Sequence, residues 1–268
     1  MSNDKRLIAV DLDGTLLGPD ARVSARTSSA LHAVANHGHA IVVVTGRSAY
    51  SAIPVISSVP ACTRVICSNG AYEYDRQNNV KSWSNHLSAQ QALHLRELIS
   101  AQLPCASFGW ESVHGLRYED RFVHEAGGAH TLEQGGDSAP LGHYDVMKLF
   151  ARTPKLISGD LQKMLAQLIE GQAEVSTSGV PFVELTARGV NKATALARVA
   201  AELGFNSDQS IAFGDNLNDL PMLNWAAEGV AMGNAHSDVK KIATTQALDN
   251  AKDGVAGILE NKLANGQL

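Results

Sequence analysis

A parallel-sheet α/β fold carrying an inserted α+β domain is predicted by three observations. Short apolar runs alternate with segments of helical period through residues 5–70, the pattern of βαβ units. The rhythm changes between about residue 86 and residue 186, where strands and helices follow in α+β order, and it resumes after Lys192. Several apolar runs end in polar or acidic residues, and open parallel sheets bind ligands beyond the carboxyl ends of their strands. The expected division is a core of residues 1–85 and 187–268 around an insertion of residues 86–186.

In the first half of the core, strands are expected at Leu7 to Val10, Ala40 to Val44 and Arg64 to Cys67. Ser24 is a candidate cap for a helix running to Asn36, with Leu31, Val34 and Ala35 on one face; His37-Gly38-His39 stops it at the far end of the sheet from the polar strand ends. Ala71 to Tyr74 and Val80 to Trp83 read as a hairpin. The insertion reads as helix Ser88 to Leu103, strands Cys105 to Trp110 and Gly115 to Glu119, and a Gly-rich polar stretch from Gly127 to Gly142. Strand Val146 to Ala151, helix Gly159 to Glu170 and strands Glu174 to Ser178 and Phe182 to Leu185 complete it. The core then resumes with helix Ala193 to Leu203, strand Ser210 to Phe213, helix Asp219 to Asn224, strand Gly229 to Met232 and helix Val255 to Leu263.

The 268 residues carry a net charge of -5 and are 44% hydrophobic, enough for a large core or two domains. That balance argues against nucleic acid or an anionic membrane as partner, since either is normally met by a basic face. The charged start, Met1 to Arg6, leads into an apolar run too short for a signal-peptide core or a membrane span, so the expected location is the cytoplasm. Cys62, Cys67 and Cys105 lack CxxC spacing and read as reduced thiols. None of the ten histidines has HxxxH spacing or pairs with a cysteine at ligand spacing, so zinc is not expected.

Chemistry is concentrated at the strand ends. Asp11-Leu12-Asp13-Gly14-Thr15 follows the first strand; the glycine permits a sharp turn, and Thr15 could cap it or hold Asp11. Thr45-Gly46-Arg47 follows the second, and a hydroxyl with an exposed amide suits a phosphate oxygen. Gly214-Asp215-Asn216-Leu217-Asn218-Asp219 adds carboxylates at the same edge. Lys192 is expected near a helix start, where a cation opposes the macrodipole unless an anion lies beside it. Carboxylates for a hard cation such as Mg²⁺, with donors for an anion, describe one pocket.

These four ordered motifs resemble those of the haloacid dehalogenase superfamily of phosphatases. The position and size of the insertion, with Ser68-Asn69-Gly70-Ala71, Gly229 to Ala235 and Asp253-Gly254-Val255-Ala256, are similar to the Cof-type subfamily with its α+β cap. The resemblance spans essentially the whole chain and implies a Rossmann-like core. It implies that Asp11 attacks phosphorus and forms an aspartyl-phosphate, and an ordinary carboxylate is already ionised at neutral pH. Asp13 would exchange a proton with the leaving group and then with water. Mg²⁺ would be held by Asp11, the Asp13 carbonyl and Asp215, with Asp219 orienting that shell. Leu12 and Gly46 amides, Thr45, Lys192 and Asn218 would surround the phosphoryl group. Arg47 and Asn69 either line the pocket or fix loops.

The implied reaction is hydrolysis of a small phosphorylated metabolite, with a sugar phosphate as the leading expectation. A phosphomutase and a non-catalytic regulatory member of the fold are the alternatives, and no protein partner is readable. Substrate choice is expected in the cap, where His114, Arg117, Tyr118, His124 and Lys148 are candidates, half of any strand facing away from the cleft. Linkers near residues 84–88 and 184–188 are expected to hinge it.

Overall fold

The computed structural model describes residues 5–57, 59, 61–83, 86–125 and 140–268. In chain order its first elements are β1 (Leu7–Val10), α1 (Ala25–Asn36), β2 (Ala40–Val44), α2 (Ala49–Ile56), β3 (Arg64–Cys67), β4 (Tyr72–Asp75) and β5 (Val80–Trp83). There follow α3 (Ala89–Gln102), β6 (Ser107–Ser112), β7 (Gly115–Tyr118), α4 (Asp120–Glu125), β8 (Val146–Arg152), α5 (Ser158–Leu168), β9 (Ala173–Ser176) and β10 (Val183–Ala187). The last are α6 (Lys192–Glu202), β11 (Ser210–Gly214), α7 (Leu220–Trp225), β12 (Glu228–Ala231), α8 (Ser237–Ile242), β13 (Thr245–Gln246) and α9 (Gly254–Ala264).

They form two sheets. An eight-stranded sheet has the order β13-β12-β11-β1-β2-β3-β4-β5, parallel from β13 to β3, with the β4–β5 hairpin added antiparallel. β1 lies at its centre, pairing Leu7 with Ser210 on one side and Ala40 on the other, and all four of its residues are fully buried. That is why β1 reads as an unbroken apolar run rather than an alternating one. Burial of each large side chain there contributes about 1.5–3 kcal/mol, so the ends of this strand are firmly placed. The second sheet, β7-β6-β8-β10-β9, is antiparallel throughout and is drawn wholly from residues 107–187.

The expected strands and long helices are present with ends shifted by a few residues. Four elements absent from the sequence reading are α2, α4, α8 and β13. α2 carries Pro54 and is apolar on nearly every side, so it offers no stripe; α8 has six residues and one buried side chain, Val239. The Gly-rich stretch falls mostly on residues 126–139, outside the described residues. One expectation is corrected. Residues 184–187 do not form a linker but belong to β10, buried and bonded to β8 and β9, so a bend there would break two ladders. The chain leaves the sheet in the turn that follows, Arg188-Gly189, with Gly189 at φ 76°. Residues 84 and 85 of the other expected linker lie outside the described residues.

Among the described residues, no helix is long and apolar enough to cross a membrane. Cys62 and Cys67 are buried and Cys105 is half-buried, and none of the three is in a disulfide.

Candidate active site

The chain leaves β1 at Asp11, whose amide still bonds to the Phe213 carbonyl, 3.0 Å, before residues 12–16 turn back. Gly14 makes that turn possible: it holds φ 74°, and a Cβ there would collide with the Asp215 carboxylate. Thr15 does not hold Asp11 but donates to Asp215 Oδ1, 3.0 Å, tying the turn after β1 to the loop after β11. Asn234 Nδ2 fixes the same turn through the Gly14 carbonyl, 2.7 Å.

Lys192 is the first residue of α6, behind Asn191, which caps the helix by accepting from the Ala193 and Thr194 amides. A cation there opposes the macrodipole, and the anions that offset it are present. Its ammonium, 1% exposed, donates to Asp11 Oδ1 at 2.5 Å and to Asp219 Oδ1 at 2.6 Å. Burial alone would lower the Lys192 pKa, but Asp11 and Asp219 outweigh it and raise it. Asp219 also accepts the Asp215 and Asn216 amides at Oδ2, both 2.9 Å, so both its oxygens are occupied and it orients the loop.

Asp11, Asp215 and Asp219 can place carboxylate oxygens within 4.8 Å of one another. Burial raises Asp11 well above the usual carboxylate range, with Lys192 opposing and Asp219 and Asp215 adding to the rise. Asp215 is pushed up to about 7 by burial and then by Asp219. The reference carboxylate assumed for Asp11 in the sequence does not describe its surroundings: burial disfavours its charge, and Lys192 favours it. Two of the three acids share one ammonium, and all the donors are oxygens, so the site fits a hard divalent cation. Asp11, Asp215 and Asp219 are the carboxylates that could hold one.

A cavity of about 430 Å³ opens beside this cluster, lined on the side of the large sheet by Asp11, Asp13, Thr45, Gly46, Arg47 and Asn218. Thr45 is buried and its Oγ1 accepts the Arg47 amide, 3.0 Å; the cap of α2 is Ser48 instead. Arg47 lines the cavity and grips Asp13 in a fork, Nε to Oδ2 2.7 Å and Nη2 to Oδ1 2.6 Å. Asn218 donates to Asn69 Oδ1, 3.1 Å, and Asn69 donates to Glu184 Oε2, 3.0 Å, so Asn69 joins the two sheets and fixes loops. Leu12 is fully buried directly behind Asp11.

The second sheet supplies the opposite wall. Lys148 and Tyr118 line the cavity, whereas His114 lies by a separate depression against Tyr144, ring centroids 4.2 Å apart, and Arg117 is exposed. The His124 side chain lies outside the described residues. Phe150, Ser178, Val180, Phe182 and Glu184 also line this wall and escaped the sequence reading. The signal that could have found Phe150 is a lysine inside an apolar strand: Lys148 and Phe150 share one face of β8 by the two-residue period.

The model of the family described as haloacid dehalogenase-like hydrolase matches residues 8–259. The chain is 28% identical over 277 residues to the pyridoxal phosphate phosphatase YbhA of Escherichia coli, covering 96% of this chain and 98% of that one. It is 29% identical over 254 residues to the 5-amino-6-(5-phospho-D-ribitylamino)uracil phosphatase YcsE of Bacillus subtilis, covering 94% of each. The solved structure of a haloacid dehalogenase-like hydrolase from Bacteroides thetaiotaomicron superposes with a TM-score of 0.76 at 26% identity, over 96% of this chain and 99% of that one. With the acidic cluster at the centre of a parallel sheet and an α+β insertion over it, these matches identify the chain as a member of the haloacid dehalogenase-like hydrolase family and a phosphoric monoester hydrolase.

Proposed function

We propose that the chain hydrolyses a phosphomonoester of a small metabolite in an Mg²⁺-dependent reaction through an aspartyl-phosphate on Asp11. The observation that carries this reading is the buried chain Asp11–Lys192–Asp219 beside a cavity that also presents Thr45, Gly46 and Asn218. A carboxylate so placed is aimed and partly neutralised, which a nucleophile needs in order to approach a phosphate dianion.

In the first step an oxygen of Asp11 bonds to phosphorus as the ester P–O bond breaks, and the carboxyl proton of Asp13 passes to the leaving alkoxide. In the second, Asp13 takes a proton from water as the water oxygen bonds to phosphorus and the Asp11–phosphorus bond breaks. Inorganic phosphate leaves and both side chains regain their starting state. Mg²⁺, held by Asp11, Asp215 and the Asp13 carbonyl, would supply positive charge against the phosphoryl oxygens. Thr45, the Leu12 and Gly46 amides, Lys192 and Asn218 supply the remaining donors. The Arg47 fork occupies both Asp13 oxygens; a phosphoryl group entering the cavity competes for that guanidinium, and as the fork opens Asp13 takes up from solvent the proton that it gives to the leaving group, releasing it again when phosphate leaves and the fork re-forms.

The relatives named above act on pyridoxal phosphate and on a phosphorylated ribitylaminouracil, and another, from Yersinia pseudotuberculosis, is an HMP-PP phosphatase, 28% identical over 275 residues. The substrate class is therefore a small phosphorylated metabolite, of which the sugar phosphate expected from the sequence is one kind. Asp11→Asn is expected to reduce phosphate release by at least roughly three orders of magnitude while leaving the circular-dichroism spectrum intact. A chelator should stop the wild-type enzyme. Acid quenching should leave hydroxylamine-sensitive phosphate on the wild-type chain and none on the variant. Unchanged turnover in the variant, or full turnover without divalent metal, would overturn the reading.

A further inference from the structure

We propose that the cap wall selects phosphate esters whose leaving group carries a flat, unsaturated ring, in place of the sugar expected from the sequence. This rests on the phosphatase reading above. Strand register brings the wall together. Tyr118 on β7 is opposite Gly109 on β6, Gly109 is opposite Phe150 on β8, and Phe150 is opposite Glu184 on β10, so these residues form one cross-strand row. A row of this kind shares one face of the sheet.

The glycine in that row is used. A Cβ at Gly109 would collide with the Tyr118 ring, so the ring lies across the gap and stacks on Phe150, centroids 5.8 Å apart with planes at 25°. A ring lying over a strand glycine is a recurrent way of filling the missing side chain. Phe182, edge-on to Phe150 at 5.4 Å, continues the surface, and Phe122 of α4, fully buried, sits 5.3 Å from Tyr118 and 5.4 Å from Phe182. These rings form a small apolar cluster separate from the main core. Held on several sides, they lose little freedom when a ligand arrives, which favours binding.

Polarity decides between a ring and a polyol. The charged groups on this wall are already engaged: Lys148 Nζ donates to Glu184 Oε1, 2.8 Å, and to the Gly46 carbonyl, 2.5 Å, and Glu184 Oε2 accepts from Asn69, 3.0 Å. A sugar would set several hydroxyls against ring faces and an ion pair that is already satisfied, and a buried hydroxyl without a partner is costly. An unsaturated ring sets an apolar face against half-buried Tyr118, which is backed by the buried rings of Phe150 and Phe182, and an edge against Ser178. The cavity, about 430 Å³, lies within the size range of small-molecule pockets.

The test measures kcat/KM with Mg²⁺ on the full chain for benzyl phosphate, 3-pyridylmethyl phosphate, glucose 6-phosphate and glycerol 3-phosphate, with acetyl phosphate as a generic phosphoryl donor. The ring esters should exceed glucose 6-phosphate and glycerol 3-phosphate by at least about tenfold, and Tyr118→Leu should lower the benzyl-to-glycerol ratio about fivefold to tenfold, the scale of one aromatic contact. Tyr118→Phe should keep the ratio, and Gly109→Ala, which displaces the ring, should lower it as Tyr118→Leu does. Preference for glucose 6-phosphate, or a Tyr118→Leu ratio equal to wild type, overturns the ring preference while leaving the phosphatase reading standing. No phosphate release from any probe, acetyl phosphate included, overturns the phosphatase reading and the inference with it.

Discussion

Lys192 shows how much one side chain can govern. Its ammonium, 1% exposed, contacts both Asp11 and Asp219. Removing one partner from a buried ion pair leaves uncompensated charge and costs about 3–5 kcal/mol. Lys192→Met is therefore expected to lower the urea midpoint in the presence of chelator by that amount of free energy, as well as to remove activity. Adding Asp219→Asn should restore part of the stability, because the amide keeps an acceptor for the Asp215 and Asn216 amides while removing one of the unpaired charges. A loss below about 1 kcal/mol in the single variant, or no recovery in the double, would refute the network. The residue types and their positions at strand ends were legible in the sequence, since a carboxylate behind an apolar strand has no core role. The protonation behaviour of Asp11 was not, because it depends on burial and on Asp219 and Asp215, 208 and 204 positions away by numbering.

At the level of elements, legibility followed the strength of the local pattern. β1, β2 and β3 are apolar runs that only a buried parallel strand accommodates, and α1 announces itself with Ser24, whose hydroxyl accepts the Thr27 amide. α2 has the same kind of cap, Ser48 accepting the Ser51 amide, but it is short and Pro54 interrupts it. The joint between α1 and β2 carries a testable consequence at the end of the sheet away from Asp11. There His39 is buried and its Nδ1 accepts the Arg6 amide, 3.0 Å, so the ring is neutral. Burial, then Lys5, His37 and Arg6, hold its pKa below the ordinary 6.5. The unfolded chain takes up a proton near that ordinary value and the folded chain only at lower pH. The contribution of His39 is therefore fully present above about pH 6.5 and declines as pH falls through it. Melting temperatures measured from about pH 7.5 down to pH 5.5 should fall less steeply for His39→Gln, which keeps an acceptor for Arg6, than for wild type. Equal slopes would assign the acid sensitivity elsewhere.

Across the whole molecule, the two sheets meet through charge as well as apolar packing. Lys148 reaches from β8 to the Gly46 carbonyl and to Glu184 and lies 3.8 Å from Glu111; Ser68 Oγ donates to Glu111 Oε1, 2.6 Å; Asn69 donates to Glu184. None of this was legible in the sequence, because its partners are 36 to 115 positions apart and strand register decides which of them meet. The insertion itself was visible as a change of rhythm, but not the face it turns to the site. The network differs physically from Lys192. Carboxylates at a boundary between two sheets regain water if the sheets separate, whereas those around Lys192 regain it only by unfolding. Lys148→Met is therefore expected to appear as opening: a larger radius of gyration in small-angle scattering and faster tryptic cleavage at exposed Arg188, with a small change in melting temperature. Misplacing the wall over the reacting phosphoryl group should lower kcat/KM by about 10- to 100-fold. Combining it with Glu184→Gln removes the charge left behind, so the compact form should return in part even though the Gly46 contact stays lost. A variant that unfolds outright, or scatters as wild type with full activity, would show that Lys148 does not hold the two sheets together.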